Sequence, residues 1–158
     1  MYFEWVDYCF EDAVLVNSWL DPQTAAMTGL DQGWDEYWQA VLADAKNFPG
    51  CRDFCKIVRK NSLSIAVVAF GCYQGTAVIS EIIVAPDLRS KGYGSEIIQE
   101  LLTCSDILLG ECNNKFTAVI FPDNLPSKKA FAKAGFVPGH VTADSETWVY
   151  YPARSLLV

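Results

Sequence analysis

The sequence predicts one mixed α/β domain, a central and mostly antiparallel sheet with one parallel strand pair, flanked by helices. Three observations carry this expectation. Phe54 to Arg59, Leu63 to Tyr73 and Thr76 to Ala85 are successive apolar, β-branched runs joined at Lys60-Asn61-Ser62 and Gln74-Gly75, which reads as an antiparallel meander. After Pro86 the period changes: Ile97, Ile98, Leu101 and Leu102 recur at helical spacing across Gly94 to Cys104, and Phe116 to Phe121 is again an apolar strand. That order is strand, crossover helix, parallel strand. No internal repeat or low-complexity linker interrupts residues 1–158, and 51% of them are apolar, enough for one continuous core.

The other elements follow in chain order. Met1 to Val6 alternates weakly and reads as a first strand. Glu11 to Leu20 sets Ala13, Val14, Val16, Trp19 and Leu20 as an amphipathic helix that Asp21-Pro22 ends, and a second helix is expected over Trp34 to Asn47 before Phe48-Pro49-Gly50 breaks the pattern. Beyond the crossover come a short helix from about Leu125 to Ala134, a strand near Phe136 to Pro138 and a last strand around Thr147 to Tyr151. Leu156-Leu157-Val158 leaves apolar groups that a second copy would cover, so both monomer and homodimer stay open.

Composition narrows the function classes. Nineteen acidic against twelve basic residues give a net charge of −7, which argues against a broad nucleic-acid footprint because nothing would neutralise a run of phosphates. An acidic surface suits cationic small molecules or peptides with free amines, although it equally keeps a protein soluble. No apolar run approaches the roughly 20 residues of a membrane span, and Met1-Tyr2-Phe3-Glu4-Trp5 has neither a basic region nor a cleavage site, so a cytoplasmic protein is expected. The six cysteines, at 9, 51, 55, 72, 104 and 112, are irregularly spaced in mostly apolar surroundings and read as buried free thiols in a reducing compartment. Cys51 and Cys55 lack two further ligands, and the single histidine, His140, is remote, so no metal site is expected.

Most of the information lies in Ser80-Glu81-Ile82-Ile83-Val84-Ala85-Pro86-Asp87-Leu88-Arg89-Ser90-Lys91-Gly92-Tyr93-Gly94-Ser95. A buried strand runs through a turn stopped by Pro86 into a helix whose first residues include two glycines. Glycine lets the backbone curl so that successive N–H groups point at one spot, and the helix N-terminus adds partial positive charge, so a pyrophosphate fits there. Charge-assisted hydrogen bonds of about 1.5–3 kcal/mol each, from convergent amides plus Arg89 or Lys91, supply much of a micromolar affinity of about 8 kcal/mol. A dinucleotide fingerprint needs a third glycine where Ser95, Glu96 and Ile97 stand, and a P-loop needs a Gly-Lys-Ser/Thr that is missing.

Val84-x-Pro86-x-x-Arg89-x-x-Gly92-x-Gly94 resembles the acyl-CoA pyrophosphate motif of the GNAT superfamily of N-acyltransferases. Downstream, Asn124-Leu125-Pro126-Ser127-Lys128-Lys129-Ala130-Phe131-Ala132-Lys133-Ala134-Gly135-Phe136 resembles that family's second motif, an Asn before a short helix ending in Gly-Phe. The resemblance is specific from Ser80 to Phe136 and architectural before it. It implies a GNAT-like fold and an acetyl-CoA dependent N-acetyltransferase acting on a primary amine, either a small cation such as an aminoglycoside or polyamine, or a peptide N-terminus or lysine. It further implies that the backbone of Ile82, Ile83 and Val84 pairs with the pantetheine arm and that Arg89, Ser90, Lys91, Gly92, Tyr93, Gly94 and Ser95 hold the pyrophosphate. The sheet would splay after Val84, and Asn124, with Ser127 beside it, would bond along the pantetheine. Asn124 also suits a helix N-cap, and both roles hold together.

The implied chemistry is attack of a neutral amine on a thioester carbonyl. An alkyl ammonium of pKa about 10.4 is roughly three units from neutrality at pH 7, so the free amine costs about 4 kcal/mol and a nearby proton acceptor helps. Glu81, an acid inside an apolar strand, is the first candidate, since burial raises a carboxyl toward the range of a general base. Alternation puts it opposite Ile82 and Val84, which leaves a surface carboxylate or an ion-pair partner equally open. His140, expected in a loop, is the second candidate. Many relatives carry a thiolate-protonating tyrosine where Phe131 stands here, which leaves water, Ser127, Tyr93, Tyr150 or Tyr151, or else an acyl-CoA-binding module without catalysis. Trp19, Asp21, Asp31, Trp34, Asp35, Glu36, Tyr37 and Trp38 mix aromatic faces with carboxylates suited to a cationic amine, though most read as an inward-turned amphipathic helix pair.

Overall fold

The computed structural model describes residues 1–110 and 115–153, and within them the runs above form one seven-stranded sheet. β1 (Glu4–Asp7), β2 (Arg52–Lys60), β3 (Leu63–Tyr73) and β4 (Thr76–Val84) pair antiparallel in chain order. β4 pairs parallel with β5 (Lys115–Ile120), the one parallel contact in the sheet, and β7 (Glu146–Tyr150) inserts between β5 and β6 (Val137–Val141). His140 therefore sits in β6, an exposed edge strand, and not in the expected loop. The sequence places a strand near Phe136 to Pro138, and Pro138 with Gly139 hides its continuation to Val141 from a reading based on alternation.

Helices cover both faces. α1 (Ala13–Ser18), α2 (Pro22–Thr28) and α3 (Trp34–Ala45) lie on one side, where Val16, Trp34 and Trp38 pack on Ile57, Val67 and Ile83. α4 (Tyr93–Thr103), α5 (Ser105–Leu108) and α6 (Leu125–Lys133) lie on the other, where Ile97, Ile98, Leu101 and Phe131 pack on Val68, Phe70 and Ile79. α2 is an addition to the expected elements. Asp21-Pro22 starts a helix rather than only ending one, because the Asp21 carboxylate accepts the Thr24 N–H at 2.8 Å and proline sits in the first turn, where its missing N–H is harmless.

Cys55 is a buried free thiol as expected, but Cys9 is exposed and Cys72 is disulfide-bonded, so free buried thiols do not describe the whole set. Cys112 and the terminal Leu156-Leu157-Val158 lie outside the described residues. Among the described residues no helix is long and apolar enough to cross a membrane.

Glu100 on α4 ties the start of the chain to the core on the α4–α6 side. Its carboxylate accepts the Trp5 indole N–H at 2.6 Å, the Phe3 amide at 3.1 Å and the Tyr2 amide. Hydrogen bonds to a charged group contribute about 1.5–3 kcal/mol each, so Glu100→Ala should lower stability by about 2 kcal/mol or more, seen as a reduced urea midpoint at unchanged slope.

Candidate functional site

One irregularity in β4 shapes the site. β3 and β4 pair Val68 with Ile82 and Ala69 with Glu81, but the next pair is Phe70 with Ile79, so Ser80 is an extra residue without a partner. The bulge reverses which face the following side chains take. Ala77 and Ile79 before it, and Ile82 and Val84 after it, all face the core under α4–α6, while Ile83 is buried in the core under α1–α3. Glu81 is thereby turned to the side of α3 and Tyr37. On the other edge, β4 and β5 stay paired only from Thr76–Lys115 to Ile79–Ala118. The strands part at the bulge, five residues earlier along β4 than the expected opening after Val84.

The parted strands open a cleft of about 300 Å³. Ile79, Ser80, Glu81 and Ile82 form one wall and Ala118 to Phe121 the other. Asn124, Ser127 and Phe131 close the side toward α6, and Met27, Thr28 and Tyr37 the side toward α2 and α3. α2 reaches across the opening: a Cβ on Gly29, its left-handed C-cap, would stand 3.6 Å from the Phe121 ring. The Glu81 side chain is partly exposed to this cleft, and burial pushes its carboxyl up to about 8. The Tyr37 hydroxyl is raised as well, first by burial and then by the Glu81 charge, so Tyr37 on the α3 side stands near Glu81 on β4.

The turn ahead of α4 is built from left-handed backbone. Ser90 has φ 61° and Gly92 has φ 88°, the latter with open space where a Cβ would stand. Among the described residues the N–H groups of Lys91, Gly92, Tyr93, Gly94 and Ser95 have no acceptor. Ser95 is buried and donates its hydroxyl back to the Gly92 carbonyl at 3.0 Å. Exposed Lys91 supplies a cation beside these amides. The group that fits a curl of free donors at a helix N-terminus is a diphosphate, the part of coenzyme A that the turn would hold.

Arg89 departs from the expected role, since its guanidinium points away from this turn. Its Nη1 donates to Asp21 Oδ2 at 2.8 Å and to Thr24 Oγ1 at 2.9 Å, its Nη2 to the Trp19 carbonyl at 2.6 Å and its Nε to the Val84 carbonyl at 2.9 Å. A cation with four protein acceptors is a staple joining the turn to α2. The Thr24 amide first, and Arg89 second, hold the Asp21 carboxyl below its usual value. The Ala85 N–H donates to Ile65 on β3, so the Val84 carbonyl faces the other edge, and alternation turns the N–H and C=O of Ile82 the same way, into the cleft. Ile83 instead pairs with Val67 and is buried away from it.

Other expected residues divide between the cleft and the cores. Asn124 is buried and caps α6, its Oδ1 accepting the Ser127 N–H at 3.3 Å. Tyr93 packs edge-on to Phe3 under the Lys60 ammonium, and Tyr150 packs on Phe116 and Phe136. Of the hydroxyls considered as proton donors, only Ser127 lines the cleft. Trp19, Trp34 and Trp38 are core, and Asp35 accepts the Tyr8 hydroxyl at 2.9 Å, which leaves Tyr37 alone among those N-terminal residues in the cleft wall. Met27 and Thr28 were not anticipated, because α2 itself was not.

The Acetyltransferase (GNAT) family model matches residues 16–136. An acetyltransferase from Thermus thermophilus superposes with a TM-score of 0.73 at 18% identity, covering 96% of this chain and 98% of that one. An aminoglycoside acetyltransferase solved with coenzyme A gives 0.71 at 17% identity over 94% of each chain, and a spermidine N-acetyltransferase from Vibrio cholerae, with coenzyme A and spermine, 0.70 at 13% over 95% of each. No curated protein sequence matches this chain.

Folded Glu81 keeps its proton to about pH 8, whereas the unfolded carboxyl releases it near its ordinary value of 4.5, so stability falls as pH rises through that window. Glu81→Gln removes the penalty. Its Tm should exceed the native value at pH 8, and the two should converge at and below pH 4.5 in calorimetric scans across the range.

Proposed function

This chain belongs to the GNAT acetyltransferase family, an acetyl-CoA dependent enzyme family, and on that premise we propose that it acetylates a primary amine seated in the β4–β5 cleft, with Glu81 as the general base. The observation that carries this reading is the Ser80 bulge, which opens the sheet and turns one poorly solvated carboxyl into the opening.

Bound acetyl-CoA supplies the activated acetyl group. The amides of Lys91 to Ser95 and the Lys91 ammonium bind the pyrophosphate end, while the backbone of Ile82 and the side chain of Asn124 orient the pantetheine arm along the cleft. Arg89 acts as a positioning residue: by holding Asp21, Thr24 and the Trp19 carbonyl it fixes the turn against α2, and it neutralises no phosphate. Glu81 accepts the proton of the incoming ammonium once it is itself ionised. Its raised proton affinity narrows the gap to an alkyl ammonium of about 10.4, which makes the transfer easier than to an ordinary carboxylate. Phe131 is packed edge-on to Phe136 at 4.9 Å and has no proton to give, so the departing thiolate takes its proton from water or from Ser127. The same Phe131 motivates a second reading, a module that binds acyl-CoA without turnover. A thiol-release assay separates the two.

With acetyl-CoA and a panel of primary amines, the native chain should release thiol, and kcat/KM should rise through an apparent pKa near 8 as Glu81 ionises. Glu81→Gln should lose about 10²–10⁴-fold and that inflection with it. Binding tests the turn separately. A Cβ on Gly94 would meet only the Ala130 Cβ at 3.6 Å, an ordinary contact. Gly94→Val should therefore fold with little change in Tm yet weaken coenzyme A by tenfold or more in calorimetry, on the order of one lost charge-assisted hydrogen bond.

A further inference from the structure

The start of α6 carries two cleft residues, Asn124 as its N-cap and Ser127 in its first turn, and what fixes that turn lies behind the cleft wall. The chain passes from β5 into α6 through Phe121 to Asp123. Asn124 donates its N–H to the Phe121 carbonyl at 3.0 Å, and its own carbonyl accepts the Lys128 N–H at 3.1 Å. Its side-chain Oδ1 is taken up by the Ser127 N–H, which leaves the Asn124 NH2 group as the donor available to a ligand.

Of the lysines on α6, Lys129 and Lys133 are exposed, whereas Lys128 turns inward and pairs with Glu146. Glu146 is buried at the first position of β7, opposite Ile120, the last residue of β5. Cross-strand partners share a face, and Ile120 belongs to the core under α4–α6, so the Glu146 carboxylate stands beneath α6. The pair closes a ring that runs from the end of β5 through the β5–α6 turn to Lys128, across to Glu146 and back to β5. A buried ion pair adds little net stability over an apolar pair of the same volume, because desolvation offsets the attraction. Its distinctive effect is directional. Apolar side chains tolerate several rotations of a helix about its axis, whereas an ammonium and a carboxylate withdrawn from water must meet.

We infer that Lys128 and Glu146 are positioning residues that set the rotation of α6, and with it the aim of the Asn124 amide at the pantetheine arm of coenzyme A. Neither lines the cleft, so both act through Asn124. The inference rests on the proposed binding of acyl-CoA, and one arm of its test needs no ligand.

Coenzyme A and 3′-phosphoadenosine 5′-diphosphate differ only in the pantetheine arm. Their Kd ratio by calorimetry isolates that arm in the native chain, in Lys128→Met, in Lys128→Arg and in the double variant Lys128→Met with Glu146→Leu. Lys128→Met should weaken coenzyme A by about fivefold to tenfold, as expected for one lost hydrogen bond, and leave the diphosphate unchanged. Lys128→Arg should keep the native ratio. The double variant should recover the native Tm without recovering the ratio, which separates orientation from stability. Hydrogen exchange reads the same effect without a ligand. The Ser127 amide, held by Asn124 Oδ1, should exchange about tenfold faster in Lys128→Met and in the double variant, with the Lys133 amide unmoved. Equal weakening of both ligands, an unchanged ratio in Lys128→Met, or a double variant that regains the ratio would each overturn the inference. Should the native chain bind neither ligand, the acyl-CoA reading fails, and Ser127 exchange alone decides: unchanged protection in Lys128→Met overturns the positioning role.

Discussion

Ser80 is one residue more than the β3–β4 ladder can pair, and most of the site follows from where that residue goes. Side chains alternate along a strand with period two, so one inserted residue exchanges the faces of everything after it. Were all residues of β4 in regular alternation, with no bulge at Ser80, Glu81 would share the face of Ile79 and point into the core under α4–α6. With it, Glu81 faces Tyr37 and the cleft, and Ile82 and Val84 take the core positions instead. The bend that accompanies the bulge also carries β4 away from β5, and the gap left between two parallel strands is the cleft itself.

Two charged residues hold the surroundings of that gap in place. Glu100 gathers the chain start onto α4, and Arg89 joins the α2 segment to the turn before α4. Both act by collecting several backbone and side-chain partners at one ion, a geometry in which charge-assisted bonds reinforce one another. Arg89 anchors the turn from its own side chain, and the turn amides remain free. A flexible loop would lose the same convergent geometry to backbone entropy before any ligand arrived.

Much of this was legible in the residues. The meander and the crossover are written in the change from alternating to helical spacing at Pro86, and the left-handed turn ahead of α4 in Gly92 and Gly94 between a strand and a helix. The bulge was not legible, since Thr76 to Val84 is apolar on both faces around Ser80 and Glu81, and periodicity in a strand buried on both sides does not register an extra residue. Arg89 looked like a phosphate ligand because its true partners, Trp19, Asp21 and Thr24, are distant in sequence and belong to a helix whose start signal, Asp21-Pro22, also reads as a stop.

A crystal structure with coenzyme A bound measures the central claim directly. The account predicts the diphosphate within hydrogen-bond distance of the amides of residues 91–95, the pantetheine arm between β4 and β5 beside Ile82, and Arg89 still on Asp21. A diphosphate seated elsewhere, or gripped by an Arg89 that has left Asp21, would contradict it.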